Sequence, residues 1–331
     1  MFVTGPFKLR YRLTAPFCVV AAWRSLPVVL LVSIIALPSA VSAQADEASP
    51  TKPAKKRNDR VWLLSTRESF SGDCGDNCSL TDVSVFRVEK NETTKSVAIE
   101  QLVQSFSVDR PLLFYVHGNR ITRQQAFSRG LLFQKIVGQN DKPPFDLVIW
   151  SWPSQQLRRP LIDVREKAAR TEREACLLSR LLHKVDHRVR LHLTGYSFGA
   201  RIITGALHRL DVKEKKPKRQ VKVALMAAAV DHGWLEPKAP YSRAMDQLQS
   251  MLLFVNSCDP ALKRFRFISG SGHALGFVGL PTNTELGERK KRVKTEYVDT
   301  LVGRTHSLLK YLHSPSIADA IRNHVWGEST E

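Results

Sequence analysis

Short runs of consecutive apolar residues recur along the chain from Val61 onward, and longer stretches separate them. Continuous rather than alternating apolar runs are typical of strands that are buried on both faces of a parallel sheet. The pattern therefore predicts a mostly parallel sheet. Its predicted strands are residues 61–64, 83–86, 97–99, 112–116, 147–150, 191–193, 221–230 and 252–255.

The stretches between several of these runs carry apolar residues three or four positions apart, which predicts amphipathic helices. In the longest of them, Leu178, Leu181 and Leu182 share one face, and charged residues lie between the apolar positions. Alternation of strands and helices predicts βαβ units with right-handed crossovers and helices on both faces of the sheet. The fold class is therefore α/β. The predicted helices are residues 121–137, 161–185, 198–210 and 241–251.

The amino end follows the order of a secretory signal peptide. Four basic residues and no acidic residue accompany an apolar run at residues 26–38, and small residues follow at 39–43. This order predicts cleavage after Ala43 or Ala45 and export from the cytoplasm. If the segment is retained, it instead anchors the protein in a membrane.

Two further regions follow residues 1–43, the predicted signal peptide. Residues 44–60 are rich in Pro, Lys, Ala and Asp and have no apolar periodicity, so we interpret them as a basic linker. Residues 61–331 then form the predicted α/β domain, with no internal repeat.

The chain is strongly basic, with 50 Lys and Arg against 31 Asp and Glu and a formal net charge of +19. Much of the excess lies in residues 52–60, 213–219 and 289–294, which we interpret as solvated loops. A surface of this charge attracts anionic components of a cell envelope. Nucleic acid is not an expected partner, because the basic runs lack interleaved aromatic residues on which bases could stack.

Of the five cysteines, Cys74 and Cys78 lie closest together. We interpret them as a local disulfide in an oxidising compartment. Two free thiols and a metal-ligand pair are the alternatives, although no second Cys or His pair at zinc spacing accompanies them. Cys176 is interpreted as a small core residue on a helix. The sequence implies no metal and no organic cofactor.

The pentapeptide GYSFG at residues 195–199 follows a predicted strand and begins a predicted helix. A serine on such a sharp strand-to-helix turn exposes its hydroxyl, and the flanking glycines let the strand and the helix approach closely. The helix N-terminus behind it favours a developing negative charge. Ser197 is the predicted nucleophile, and the N–H of Phe198 is a predicted oxyanion donor.

A serine nucleophile requires a base, and the base requires a carboxylate that fixes its tautomer. With a nucleophile on this kind of turn, the acid and then the base follow along the chain. Asp259 follows the last strongly apolar strand and is the predicted acid. Asp231, after the preceding strand, is the rival. Asp259 could alternatively be the N-cap of a short helix that begins at Pro260.

His306 is the predicted base, because it follows the final short apolar run and precedes an amphipathic segment. His273 is the main alternative, and His117 and His232 are weaker ones. A second oxyanion donor is expected in the loop after strand 112–116. We predict the N–H of Asn119, because the preceding glycine lets the backbone come close; the alternative is an ordinary strand-ending turn.

Four segments occur in a characteristic order: YVHGN at 115–119, IWSWPS at 149–154, GYSFG at 195–199 and NSCDPAL at 256–262. Together they resemble a largely uncharacterised bacterial family of esterase/lipase-like α/β-hydrolases. The resemblance implies the α/β-hydrolase fold and the triad Ser197, Asp259 and His306. Such proteins often carry His before the nucleophile, where this chain has Tyr196.

Two functional hypotheses follow. In the first, the protein is an exported serine hydrolase that cleaves a small-molecule acyl ester or thioester through an acyl-serine intermediate. In the second, it is a non-catalytic envelope protein that keeps the fold as a binding scaffold, since a fold alone does not fix function. The walls of the acyl pocket are expected to come from residues 234–241 and 269–280.

Overall fold

The computed structural model describes residues 58–68, 78–139, 142–156, 160–210, 221–269, 272–283 and 285–327. All of them belong to one compact unit. Three predictions concern residues outside this description: the signal peptide, the linker except for its last three residues, and Cys74.

The described strands form one sheet in the order β3-β2-β1-β5-β4-β6-β7-β8-β9. The pairs that β2 forms with β1 and β3 are antiparallel, and the other neighbouring pairs of this described sheet are parallel, which confirms the prediction of a mostly parallel sheet. All residues of β4, β5 and β6 are buried, as their continuous apolar runs predict. The strands are β1 (Arg60–Ser65), β2 (Ser84–Val88), β3 (Thr94–Val97), β4 (Leu112–Val116), β5 (Asp146–Ser151), β6 (Leu191–Tyr196), β7 (Val221–Met226), β8 (Leu248–Val255) and β9 (Val293–Tyr297).

The helices cover both faces of the sheet. The crossovers β4–α2–β5 and β5–α3–β6 run in opposite directions along the strand order, so right-handed connections place α2 and α3 on opposite faces. Helix α4 packs on α3, and α10 packs on α2. The helices are α1 (Ile99–Ser105), α2 (Arg123–Val137), α3 (Pro160–Lys184), α4 (Phe198–Arg209), α5 (Pro260–Lys263), α6 (Arg266–Ser269), α7 (Leu275–Val278), α8 (Asp299–Val302), α9 (Leu308–Leu312) and α10 (Pro315–Trp326).

The prediction of a helix at residues 241–251 is wrong. A 3₁₀ helix, Ser242–Asp246, occupies its first half, and β8 begins at Leu248. The apolar spacing in this segment fits a helix, but residues from Leu248 onward pair with β7, so tertiary pairing overrides the local pattern.

Other predicted boundaries also differ from those in the structure. Strand β7 ends at Met226 rather than continuing to residue 230, and Ala227 has a positive φ of 46°. The predicted strand at 97–99 is the end of β3 and the start of α1. The basic run 289–294, interpreted as a loop, contributes to a 3₁₀ helix and to the start of β9. Charged residues suit β9 because it lies at the edge of the sheet.

The structure pairs Cys78 with Cys176 in a disulfide whose Cα atoms are 6.5 Å apart. The predicted Cys74–Cys78 bridge is therefore wrong. Cys176 does lie on a helix and packs against the core, as predicted, but it is only partly buried and it carries the disulfide. The two bridged cysteines are 98 residues apart in sequence, and α3 brings Cys176 to the segment that precedes β2. Proximity in sequence predicted the wrong pairing, because the fold brings Cys78 next to a cysteine that is distant in sequence.

Among the described residues, no helix has both the length and the apolar character that a membrane span requires. The same part of the chain contains no cluster of three or more His, Cys, Asp or Glu side chains that could hold a metal ion.

Candidate active site

Ser197 lies on the sharp turn between β6 and α4. Its φ of 54° and ψ of −120° are unusual for a residue with a side chain. Backbone hydrogen bonds hold this conformation: the N–H of Ser197 donates to the carbonyl of Met226, and its own carbonyl accepts from the N–H groups of Ala200 and Ala229. Strain of this kind persists only where surrounding contacts enforce it, and it is common at functional sites.

Two glycines allow the turn to form. A Cβ atom on Gly199 would lie 2.0 Å from the carbonyl oxygen of Val116, at the end of the neighbouring strand β4. A Cβ atom on Gly118 would lie 2.8 Å from Cβ of Ser197. The backbone after β4 therefore approaches Ser197 as closely as glycine permits.

The side chains of Ser197, His306 and Asp259 form a hydrogen-bonded series. Nε2 of His306 lies 2.9 Å from Oγ of Ser197, and Nδ1 of His306 lies 2.6 Å from Oδ2 of Asp259. Asp259 is fully buried, whereas the His306 side chain is 23% exposed. Because the carboxylate accepts from Nδ1–H, Nε2 is left as the acceptor for the serine hydroxyl.

Asp259 is also the N-cap of α5. Its Oδ1 accepts hydrogen bonds from the N–H groups of Ala261 and Leu262, while Oδ2 contacts His306. The two interpretations that the sequence left open for Asp259 are therefore compatible, because each uses a different carboxylate oxygen. The cap fixes the orientation of the carboxylate that faces His306.

Neighbouring residues position the imidazole of His306. The ring of Tyr196 packs against it with a centroid separation of 5.3 Å. Nδ2 of Asn256 donates to the carbonyl of Gly303, three residues before His306. The loop that carries His306 is thereby attached to the loop that carries Asp259.

His117 supports the loop that contains Asn119. It is fully buried; its Nδ1 lies 2.8 Å from the carbonyl of Gly118, and its Nε2 lies 3.2 Å from the backbone N–H of Trp152 and 3.3 Å from a guanidinium nitrogen of Arg67. Burial, followed by the charge of Arg67, lowers the pKa of His117 to about 3. His117 is therefore a neutral residue that fixes the backbone of this loop rather than a base.

The IWSWPS segment contacts the same loop. Nε1 of Trp152 donates to the carbonyl of His117. Oγ of Ser154 donates to the carbonyl of Ile121, and the carbonyl of Ser154 accepts from the N–H of Arg120. The YVHGN and IWSWPS segments, which are separated in sequence, thus form one unit beside Ser197.

The rival acid Asp231 has other partners. Its carboxylate accepts from the N–H groups of Gly233 and Gly272, and it pairs with Ala274 in an isolated β-bridge. The backbone N–H of His232 donates to the carbonyl of His273. These residues hold the loops after β7 and after α6 together, whereas Asp259 is the carboxylate that contacts His306.

A cavity of about 610 Å³ opens beside Ser197 and His306. Asn119 and Phe198, the two predicted oxyanion donors, both line it. No described residue of segments 234–241 and 269–280 does, so the predicted pocket walls are wrong. Further apolar and basic lining residues are Ile121, Val164, Leu262, Phe265, Leu308, Arg120, Arg129 and Arg264.

Sequence reasoning missed most of these lining residues. Leu262, Arg264 and Phe265 directly follow the Asp259 motif, so proximity to that motif was the one signal that could have found them. Arg129 and Val164 reach the cavity from the middle of α2 and the beginning of α3, and only the tertiary arrangement of those helices brings them there.

One comparison, with the models of known families, agrees with this architecture. Residues 91–321 match the family described as alpha/beta hydrolase of unknown function (DUF900). No curated protein matches the chain significantly.

Several solved structures are similar at low identity. The lin2722 gene product from Listeria innocua is 10% identical, with a TM-score of 0.36 over 67% of this chain and 96% of that one. A lipase-esterase related protein from Clostridium acetobutylicum is 14% identical, with a TM-score of 0.33 over 66% and 96%. Inhibited esterase B from Lactobacillus rhamnosis is 11% identical, with a TM-score of 0.35 over 81% and 86%.

Proposed function

The chain belongs to the DUF900 family of alpha/beta hydrolases, and from this premise we propose that it is an exported serine hydrolase. It cleaves a carboxylic ester or thioester through an acyl intermediate on Ser197. The observation that carries the proposal is the hydrogen-bonded series from Ser197 through His306 to Asp259.

The series has the geometry that nucleophilic catalysis requires. With Nδ1–H directed at Asp259, Nε2 of His306 takes the proton of Ser197 Oγ as the oxygen attacks the acyl carbon. The buried carboxylate stabilises the imidazolium that forms. The same Nε2–H then donates its proton to the leaving alkoxide or thiolate, and a water activated by His306 hydrolyses the acyl-serine.

Stabilisation of the tetrahedral intermediate comes from backbone donors. The N–H groups of Phe198 and Asn119 are the proposed pair, because both residues line the cavity beside Ser197. The N-terminus of α4 adds a partial positive charge on the same side. The close approach at Gly118 and the hydrogen bonds of His117 support this assignment, since they hold the Asn119 backbone next to the nucleophile.

Export is supported by two independent features. The first 43 residues have the order of a signal peptide, so the mature chain is expected to begin near Gln44 or Asp46. The Cys78–Cys176 disulfide is a bond that persists in oxidising compartments and is rare in the cytosol. The amino-terminal sequence of the protein purified from its native host tests this proposal directly. An intact Met1 on soluble cytoplasmic protein would contradict it.

Turnover is tested with p-nitrophenyl esters of graded acyl length, assayed with the wild type and Ser197→Ala. Loss of triad members costs roughly 10⁶ in turnover in comparable enzymes, so Ser197→Ala should be inactive while its circular dichroism remains that of the wild type. Hydrolysis by Ser197→Ala at the wild-type rate would contradict the proposal. Binding of esters without turnover by the wild type would instead favour the non-catalytic envelope protein.

A further inference from the structure

The charged side chains that line the candidate active-site cavity are all basic. Three arginines, Arg120, Arg129 and Arg264, line it together with His306, and no Asp or Glu is among its described lining residues. The remaining walls are largely apolar. A neutral ester needs no such concentration of positive charge, so the three arginines require an explanation.

One of the three is neutralised within the protein. Nε of Arg120 lies 3.3 Å from Oδ2 of Asp163, a carboxylate that is fully buried. By contrast, no hydrogen bond or ion pair joins the side chain of Arg129 or Arg264 to another described residue, and no described Asp or Glu lines the cavity beside them. Two positive charges therefore remain available to a ligand.

Arg129 is the more significant of the two because it is half-buried on α2. Its charge reaches the groups that surround Ser197. Burial lowers the pKa of His117 most and the charge of Arg67 comes next; the charge of Arg129 makes a smaller contribution in the same direction. It also opposes the rise that burial causes in the pKa of Tyr196, the residue before the nucleophile.

A partly desolvated guanidinium without a partner costs free energy, and an anion in the cavity would offset that cost. Arginine suits this role, because its planar donors match a carboxylate or phosphate in bidentate geometry and it stays charged at all relevant pH values. Arg264 is exposed, so its attraction for an anion is more strongly screened by salt.

We propose that the cavity selects esters that carry an anionic group, with Arg129 binding that group and Arg264 attracting it at the mouth of the cavity. The apolar walls hold the hydrocarbon part, so the substrate class is an anionic amphiphilic ester. This inference rests on the proposed hydrolase function and adds the substrate class.

The test compares p-nitrophenyl glutarate, which has a free terminal carboxylate, with p-nitrophenyl valerate, which has a methyl group in its place. We expect the wild type to favour glutarate in kcat/KM. Arg129→Met should lower the glutarate-to-valerate ratio roughly 10- to 100-fold, the value of about one hydrogen bond to a charged group. Arg129→Lys should recover part of the ratio, because it keeps the charge and loses the bidentate geometry.

Arg123→Met is the matched control, because Arg123 is on the same helix but pairs with Glu68 outside the cavity. It should keep the wild-type ratio.

A second pair of substrates places the charge on the alcohol: p-carboxyphenyl butanoate against its neutral methyl ester. An Arg129-dependent preference in either pair supports the proposal and identifies which side of the ester carries the anion. A ratio near one in both pairs, or one that Arg129→Met leaves unchanged, overturns it.

Binding to Ser197→Ala gives a readout that does not depend on turnover. Calorimetry should show that monobutyl glutarate, which is an anion, binds more tightly than the neutral diester butyl methyl glutarate. Adding Arg129→Met to Ser197→Ala should abolish this difference in affinity. Equal affinities for the two ligands would overturn the anion site while leaving ester hydrolysis by the wild type intact. Preferential anion binding by a chain that hydrolyses no ester would instead reject the hydrolase function and keep the site.

Discussion

Nδ1 of His306 and Oδ2 of Asp259 lie 2.6 Å apart, while the other oxygen of the same carboxylate caps α5. The carboxylate of Asp259 is thus held twice, by the helix that it caps and by its hydrogen bond to the imidazole. Asp231, one strand earlier, accepts from backbone N–H groups of the loops after β7 and after α6. The carboxylate that faces the imidazole is therefore held rigidly and out of solvent.

Asp259→Asn and Asp231→Asn together test this assignment. An asparagine at 259 would favour the wrong imidazole tautomer, so turnover should fall by roughly 10⁴. Asparagine is also a good N-cap, so the free energy of unfolding should change little. Asp231→Asn should lose far less turnover. A large loss at Asp231 with near-normal turnover in Asp259→Asn would reverse the assignment.

The disulfide gives a second prediction. Peptide mapping without reductant should recover Cys78 linked to Cys176, and not to Cys74. Cys176→Ser opens a loop of 98 residues, which should lower the free energy of unfolding by about 2–5 kcal/mol. Reductant should lower the free energy of unfolding of the wild type by a comparable amount and leave that of Cys176→Ser unchanged. Recovery of a Cys74–Cys78 peptide would contradict the pairing.

A third prediction concerns pH. The folded-state pKa of His117 is about 3, below the value of about 6.5 expected in the unfolded chain. The stability contributed by its neutral form is therefore fully present above pH 6.5 and is lost as the pH falls through the folded pKa. From this group the free energy of unfolding should fall by up to about 1.4 kcal/mol per pH unit across that window.

His117→Gln lacks this titration, so its free energy of unfolding should depend less steeply on pH between 6 and 4. Denaturant unfolding at several pH values provides the comparison. Between pH 7.5 and 8.5 the two proteins should show the same dependence, which serves as the internal control. Equal slopes across the acid window would show that His117 is not the buried neutral residue described above.

Local sequence order predicted the residues that the structure brings together around Ser197. The turn at Ser197 needs glycines at fixed positions, Asp259 follows β8 closely, and His306 follows β9 after the short helix α8. Their order along the chain is the one that this kind of turn predicts. The α/β fold was predictable for the same reason. Continuous apolar runs such as β4 and β6 suit little except strands buried on both faces.

Features that depend on distant contacts were not predictable from the sequence. Cys78 pairs with Cys176 because α3 crosses near the segment before β2. Residues after Leu248 form a strand because β7 offers a pairing edge, although their spacing suits a helix. Arg129 reaches the cavity because of where α2 packs, and no motif marks it. In each case the information lies in packing between segments far apart in the chain.

The most direct test of the central claim is covalent labelling of Ser197 by a fluorophosphonate, read by intact mass and peptide mapping. An adduct requires a serine that is deprotonated by its base and an oxyanion site that accepts the phosphoryl oxygen. Ser128→Ala, which removes an exposed serine on α2, is the control and should label as the wild type does. We expect one adduct, on Ser197, absent in Ser197→Ala and formed much more slowly in His306→Ala. No adduct on Ser197 in folded wild-type protein, or labelling that persists in Ser197→Ala, would contradict the account.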